Sequence, residues 1–222
     1  MEFKILFEDN AMLVVVKPQG MPTQGDKTGD ADLLSLLQEH CGQPLGLVHR
    51  LDRPVGGLLV FAKTKQGEAN LQKQMQEGIL EKRYLAVLCG ELPEKRGALT
   101  DYLKKNMRTN LSEVASPKDK AAKKAILQYQ VLEVVKEKEQ TISLVQIQLE
   151  TGRHHQIRVQ TAHARAPIWG DKKYNNVTQG RGLTEIALWS YELKGLHPVT
   201  HKPWCFREPP TQGAFQLFSG KC

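Results

Sequence analysis

Asp52 closes the run His49-Arg50-Leu51-Asp52 and is followed at once by Arg53, so one carboxylate stands among an imidazole and two guanidinium groups. Directly after it comes an apolar strand, Leu58-Leu59-Val60-Phe61-Ala62. Cationic neighbours favour the ionised carboxylate, and an ionised aspartate can act as a nucleophile or a base. The plain alternative is an aspartate that caps or bridges a turn, because structural ion pairs perturb carboxylates too. A second cluster, Thr151-Gly152-Arg153-His154-His155-Gln156-Ile157-Arg158, offers a cationic partner for that carboxylate. Here a helix is expected over 153–165, with Arg153 in its first turn and His154 and Arg158 on one face. Such a face suits carboxylates and phosphates. Adjacent helical positions point about 100° apart, so His154 and His155 are poor joint ligands, and no H-E-x-x-H is present. No metal site is expected.

Tyr84, on the strand Lys82-Arg83-Tyr84-Leu85-Ala86-Val87-Leu88, is either a half-buried sheet tyrosine, a flat face on which a nucleobase could stack, or a hydroxyl near the chemistry. In Gly170-Asp171-Lys172-Lys173-Tyr174 the first two residues read as an ordinary turn. The net charge of +7 over 222 residues favours a polyanionic partner, nucleic acid before an anionic membrane surface, although a solvated basic surface would look the same. The segment Lys104 to Lys124 carries Lys104, Lys105, Arg108, Lys118, Lys120, Lys123 and Lys124. It reads as a long polar loop, mobile or contacting phosphates, and as the one place where a domain boundary could fall. Cys41, Cys89, Cys205 and Cys222 are far apart and form no C-x-x-C pattern. The first apolar run, 11–16, is too short for a signal peptide or membrane span. The chain is therefore expected in the cytoplasm with reduced thiols.

These residues need a scaffold. Met12 to Lys17 reads as a buried strand stopped by Pro18 and Gly20, and 19–29 as a loop. Asp30 is expected to cap a helix carrying Leu33, Leu34, Leu36 and Leu37, and Thr64 a second helix running to about Gln76 and ended by Gly78. Strands are expected over 58–63, 82–88, 126–135 and 141–149, the last two as a hairpin with a charged turn at 136–140, and over 186–193. Strands outnumber helices without alternating with them. That predicts an α+β fold with a mostly antiparallel mixed sheet and flanking helices, as one domain over 1–222 or two subdomains sharing one sheet.

The stretch from His49 through Arg53-Pro54-Val55-Gly56-Gly57 to Lys63-Thr64 resembles the central motif of the RluA-type RNA pseudouridine synthases. Three further blocks agree in order and spacing: 5–9 with 13–21, then Glu81 to Val87, then 149–158 continuing through Pro167-Ile168-Trp169-Gly170-Asp171. The closing His197-Pro198 and Lys202-Pro203 also fit. The resemblance runs from about residue 5 to 210, and four ordered blocks are far more specific than one H-R-L-D. It implies the pseudouridine synthase catalytic fold with no small RNA-binding module before it. It implies that Asp52 is catalytic, that Arg50 fills the gap left by a flipped-out uridine, that Tyr84 stacks on or near the uracil, and that Arg158 pairs with Asp52. His49, Arg53, Arg153, His154, His155 and Gln156 are expected to bind substrate.

The implied reaction detaches uracil from ribose, turns it and rejoins it through carbon 5, and calls for no cofactor. The implied partner is structured tRNA or rRNA, with the protein a monomer. Two departures bear on substrate choice: Val55-Gly56-Gly57 stands where many relatives have Thr-Ser-Gly, and Gln160 where many have His. Two other functions are weighed against this one. The first is an RNA-binding or RNA-folding protein of the same fold with catalysis lost or secondary; the second is a metal-dependent hydrolase built on His49, Asp52, His154 and His155.

Overall fold

The computed structural model describes residues 3–137, 140–176 and 185–218. It divides into two compact units, one of residues 1–83 with 189–210, the other of 84–188 with 211–222.

The first unit is built on strands β1 (Lys4–Glu8), β2 (Met12–Lys17), β3 (Gly46–Leu47) and β4 (Gly56–Ala62), with helices α1 (Leu33–Cys41) and α2 (Lys65–Gln76). β4 pairs antiparallel with β2, from Met12 opposite Ala62 to Lys17 opposite Gly57. All six residues of β2 and all seven of β4 are buried. A strand covered on both faces cannot alternate apolar with polar residues, which is why both read as continuous apolar runs. Their side chains Met12, Val14, Val16, Leu58 and Val60 join Leu71 of α2 in one core.

The cap of α1 is Asp32, which accepts from the Ser35 amide at 3.0 Å. Asp30, the expected cap, instead pairs with Arg53. Both are N-cap residue types within three positions of the first leucine, and sequence spacing alone does not choose between them. Thr64 does cap α2, accepting from the Gly67 amide at 3.0 Å. Gly78 follows that helix with φ +73°, a conformation glycine adopts without a Cβ penalty.

Strand β5 (Glu81–Cys89) runs from the first unit into the second, where β6 (Arg96–Asn106), β7 (Leu111–Val114), β8 (Lys123–Glu137), β9 (Gln140–Leu149) and α3 (Gln156–His163) follow. The expected hairpin is β8 with β9, antiparallel and with a bulge at 131–133; residues 138 and 139 of its turn lie outside the described residues. The stretch 104–124 is not a long loop. It holds the end of β6, all of β7 and the approach to β8, with β6 paired antiparallel to both. The turn is made by Asn106, whose side chain accepts from the amides of Arg108 and Thr109, and by Asn110 at φ 52°. Asn serves both roles through its short polar side chain. Strand β10 (Leu188–Leu196) starts two residues later than expected and runs three further. It pairs in parallel with β4 through Trp189 and Ser190, and antiparallel with β11 (Pro203–Arg207). Parallel and antiparallel ladders together make the expected α+β, mixed but mostly antiparallel architecture.

Candidate active site

The loop between β3 and β4 carries the first cluster. Val48 and His49 are buried, Arg50 is exposed, Leu51 is buried and Asp52 half-buried, so the chain turns some side chains inward and others outward. The turn after Asp52 is closed by the Val55 amide donating to the Asp52 carbonyl at 2.9 Å. From the far side, the loop after β2 grips Arg53. Gly20 donates its amide to the Arg53 carbonyl at 2.9 Å, and the Arg53 Nε donates back to the Gly20 carbonyl at 2.9 Å.

Lys17 is wholly buried beneath this grip, a feature the sequence reading missed. Its ammonium donates to the carbonyls of Pro18 (2.9 Å), Met21 (2.7 Å) and Arg53 (3.2 Å). Burial pushes its pKa down to about 7, against which the charge of Asp52 pulls upward. The signal for it was present: Lys17 ends an otherwise apolar buried strand, where a lysine must find acceptors.

One sequence expectation changes here. His49 is not a cation beside Asp52. It is 6% exposed, and burial, followed by the charge of Lys82, pushes its pKa well below the usual 6.5. Its Nε2 accepts from the Val60 amide at 3.4 Å, which leaves the proton on Nδ1. Its imidazole is therefore a buried, neutral group packed against β4. Arg53 is exposed, but its guanidinium is already engaged by Asp30 (2.5 Å), Thr28 (3.0 Å) and, more distantly, Asp26 (3.8 Å). It ties down the polar segment 20–30.

The second cluster gathers around α3. The helix begins at Gln156, three residues later than expected, so Arg153 and His154 precede it and share no helical face with Arg158. His155 sits at φ 53° and turns the chain. Its ring stacks on His154 with centroids 3.8 Å apart, and its Nδ1 lies 2.8 Å from the Tyr174 hydroxyl. That hydroxyl accepts from the Ser112 amide at 2.8 Å, while the Ser112 hydroxyl lies 2.8 Å from His154 Nδ1. The stacked histidines are thus tied to β7. Gln156 is buried and its amide is spent within the protein: it accepts from Thr151 (2.8 Å) and the Arg153 amide (2.9 Å) and donates to the Ile126 carbonyl (3.0 Å). Those three bonds shape the turn that leads into α3. Arg153 is exposed and its Nε donates to the Lys124 carbonyl at 3.0 Å.

Arg158 is almost wholly buried. Asp171 grips it through Nε at 2.8 Å and Nη2 at 2.6 Å, and its guanidinium carbon lies 5.2 Å from the centre of the Tyr174 ring. Asp171, read from sequence as an ordinary turn residue, is 1% exposed and makes an ion pair of a kind that fixes guanidinium orientation. Tyr84, expected half-buried as a sheet residue, is 5% exposed on β5. Among the described residues, the grouping of three side chains able to hold a metal is Glu8, His40 and Cys41, with Glu8 already bound by Lys63 at 2.6 Å. It contains none of His49, Asp52, His154 or His155.

The family model for RNA pseudouridylate synthases matches residues 11–163. The chain belongs to that family. A tRNA pseudouridine synthase C of Haemophilus ducreyi is 34% identical over 216 residues, spanning 90% of this chain and 88% of that protein. A ribosomal large subunit pseudouridine synthase D of Zymomonas mobilis is 32% identical over 234 residues, 97% of this chain and 71% of that protein. An RNA pseudouridine synthase of Bacillus subtilis is 32% identical over 205 residues, 90% of this chain and 66% of that protein. The human RNA pseudouridylate synthase domain-containing protein 1 shares the fold, with a TM-score of 0.79 at 22% identity over 98% of this chain and 93% of that one.

The two departures from the family motif acquire physical reasons. A Cβ on Gly56 would come within 2.2 Å of the Trp189 ring, so glycine at 56 and tryptophan at 189 go together. Gly57 has φ +113°, and a Cβ there would meet the Ser190 carbonyl at 2.2 Å. Gln160 is wholly buried and donates to the Asp101 carboxylate (2.9 Å) and the Leu99 carbonyl (3.1 Å). Gly56, Gly57 and Gln160 are all buried.

Proposed function

We propose that this protein converts uridine to pseudouridine within tRNA or rRNA, with the Asp52 carboxylate as the reacting group and Tyr84 and Arg158 acting in the same reaction. The observation that carries the reading is the setting of Asp52. It is half-buried on a loop gripped from the β2 side, beside a buried lysine that its charge helps to keep protonated. A carboxylate held this way is preorganised, so little is lost in orienting it for attack.

The chemistry is an isomerisation: the bond from uracil N1 to ribose C1′ breaks, the base turns, C5 bonds to C1′, the C5 hydrogen leaves as a proton, and N1 ends carrying a proton in its place. The carboxylate can act by attacking ribose, by attacking uracil, or by taking a ribose proton to leave a glycal. A stacked uridine must first leave its helix. Arg50, exposed two residues before Asp52, is the side chain this reading assigns to the vacated stack, since a guanidinium plane stacks well on bases. Tyr84 is assigned to the uracil, and Arg158 to pairing with Asp52. Relatives named for tRNA and for ribosomal RNA are both similar to this chain, so either RNA is a candidate substrate.

Pseudouridine mapping across tRNA and rRNA, in cells with and without the gene, tests the reading. One or more sites should vanish on deletion and return with wild-type protein but not with Asp52→Asn. An unchanged map would refute it and leave the RNA-binding alternative standing.

A further inference from the structure

We infer that Thr23 is a positioning residue for Asp52, setting the carboxylate through the backbone of Leu51. The inference rests on the reading that Asp52 reacts. Thr23 is 4% exposed and lies on the segment after β2. Its hydroxyl donates to the Leu51 carbonyl at 2.8 Å and accepts from the Leu51 amide at 3.2 Å. One side-chain oxygen therefore satisfies both backbone groups of the residue immediately before Asp52.

Leu51 belongs to no strand or helix, so no ladder pairing fixes its peptide planes. What fixes them is a hydroxyl on a β-branched side chain, whose χ1 is stiff. On the other side of Asp52 the Arg53 carbonyl is held by Lys17 and Gly20, and Gln19 Nε2 donates to the Pro54 carbonyl at 3.2 Å. The segment 17–23 thus grips the backbone both before and after Asp52. Removing the Thr23 anchor frees two buried polar groups. They can be satisfied again only if the peptide planes flanking Leu51 turn, and that turn swings the Asp52 side chain.

The test measures release of tritium from uracil C5 in labelled total RNA prepared from cells lacking the gene. The isosteric Thr23→Val removes only the hydrogen bonds, and Thr23→Ser restores them. Thr23→Val should lower kcat by about 10- to 100-fold, the scale expected for a misplaced reacting group, with KM changed by less than about 3-fold. Thr23→Ser should recover kcat to within about 3-fold of wild type. If Thr23→Val does not fold, Thr23→Cys carries the test through its longer, weaker hydrogen bonds, with kcat again lowered at constant KM. A lowered melting temperature with unchanged kcat would show a structural anchor only and overturn the inference. Wild-type protein that releases no tritium would instead overturn the reading of Asp52 on which the inference rests.

Discussion

Arg158 and Asp171 meet as a two-point ion pair almost wholly out of water, with side-chain exposures of 4% and 0%. A guanidinium so placed has its orientation set, and the Tyr174 ring 5.2 Å away limits its tilt. Removing one partner strands the other charge in a dry site. Asp171→Ala is expected to cost about 3–5 kcal/mol in urea unfolding. The double variant Arg158→Met with Asp171→Leu should cost less than the two single replacements together. Strict additivity would contradict the pairing.

Lys17 ties stability to pH. An unfolded lysine holds its proton to about 10.5, whereas the folded one gives it up near 7. Between those values the unfolded chain binds more protons, so this group makes stability rise with pH; below about 7 both states are protonated and its contribution is flat. Unfolding free energies of wild type and Lys17→Met, compared from about pH 6 to pH 9.5, should diverge in favour of wild type as pH rises. A constant difference would contradict the burial of this ammonium.

Gly56 and Trp189 are coupled by contact. Gly56→Ser alone should destabilise by about 1–3 kcal/mol, the usual cost of forcing atoms into a packed site. The same change made with Trp189→Leu should cost clearly less, because the ring that a Cβ would strike is gone. A double-mutant cycle measures this, and equal costs in both backgrounds would contradict it.

The β6–β7 hairpin presents Lys105 and Arg108 to solvent, with Lys123 and Lys124 at the start of β8. Replacing Lys105, Arg108 and Lys124 with Ala should weaken RNA binding at low salt. It should also flatten the plot of log affinity against log salt by about 0.7–0.9 for each phosphate that is no longer neutralised. An unchanged slope would place the phosphate-binding cations elsewhere.

The sequence revealed those parts of the fold whose signal is local. β2 and β4 announce themselves as unbroken apolar runs, and Thr64 with Gly78 marks both ends of α2. The β6–β7 hairpin escaped because its strands are polar and charged and its turn signals, Asn106 and Asn110, lie inside a basic run. At the candidate site, Asp52 and Arg158 were singled out by motif spacing. Their neighbours were not. Asp171 stands 13 residues from Arg158 in what reads as a turn, and the cradle around Asp52 is made by residues 17–23, about 30 positions away. The burial of His49 and Gln156 was not legible for the converse reason: polar residues within a polar motif look exposed in sequence, and burial is a property of the folded chain.

Asp52→Asn keeps the size of the side chain and removes its charge, so it addresses the central claim with least disturbance to the loop. Purified wild type and variant should bind the same RNA with dissociation constants within about 3-fold, since phosphate contacts dominate affinity. Only the wild type should release tritium from uracil C5. Tritium release by Asp52→Asn at the wild-type rate would contradict the account.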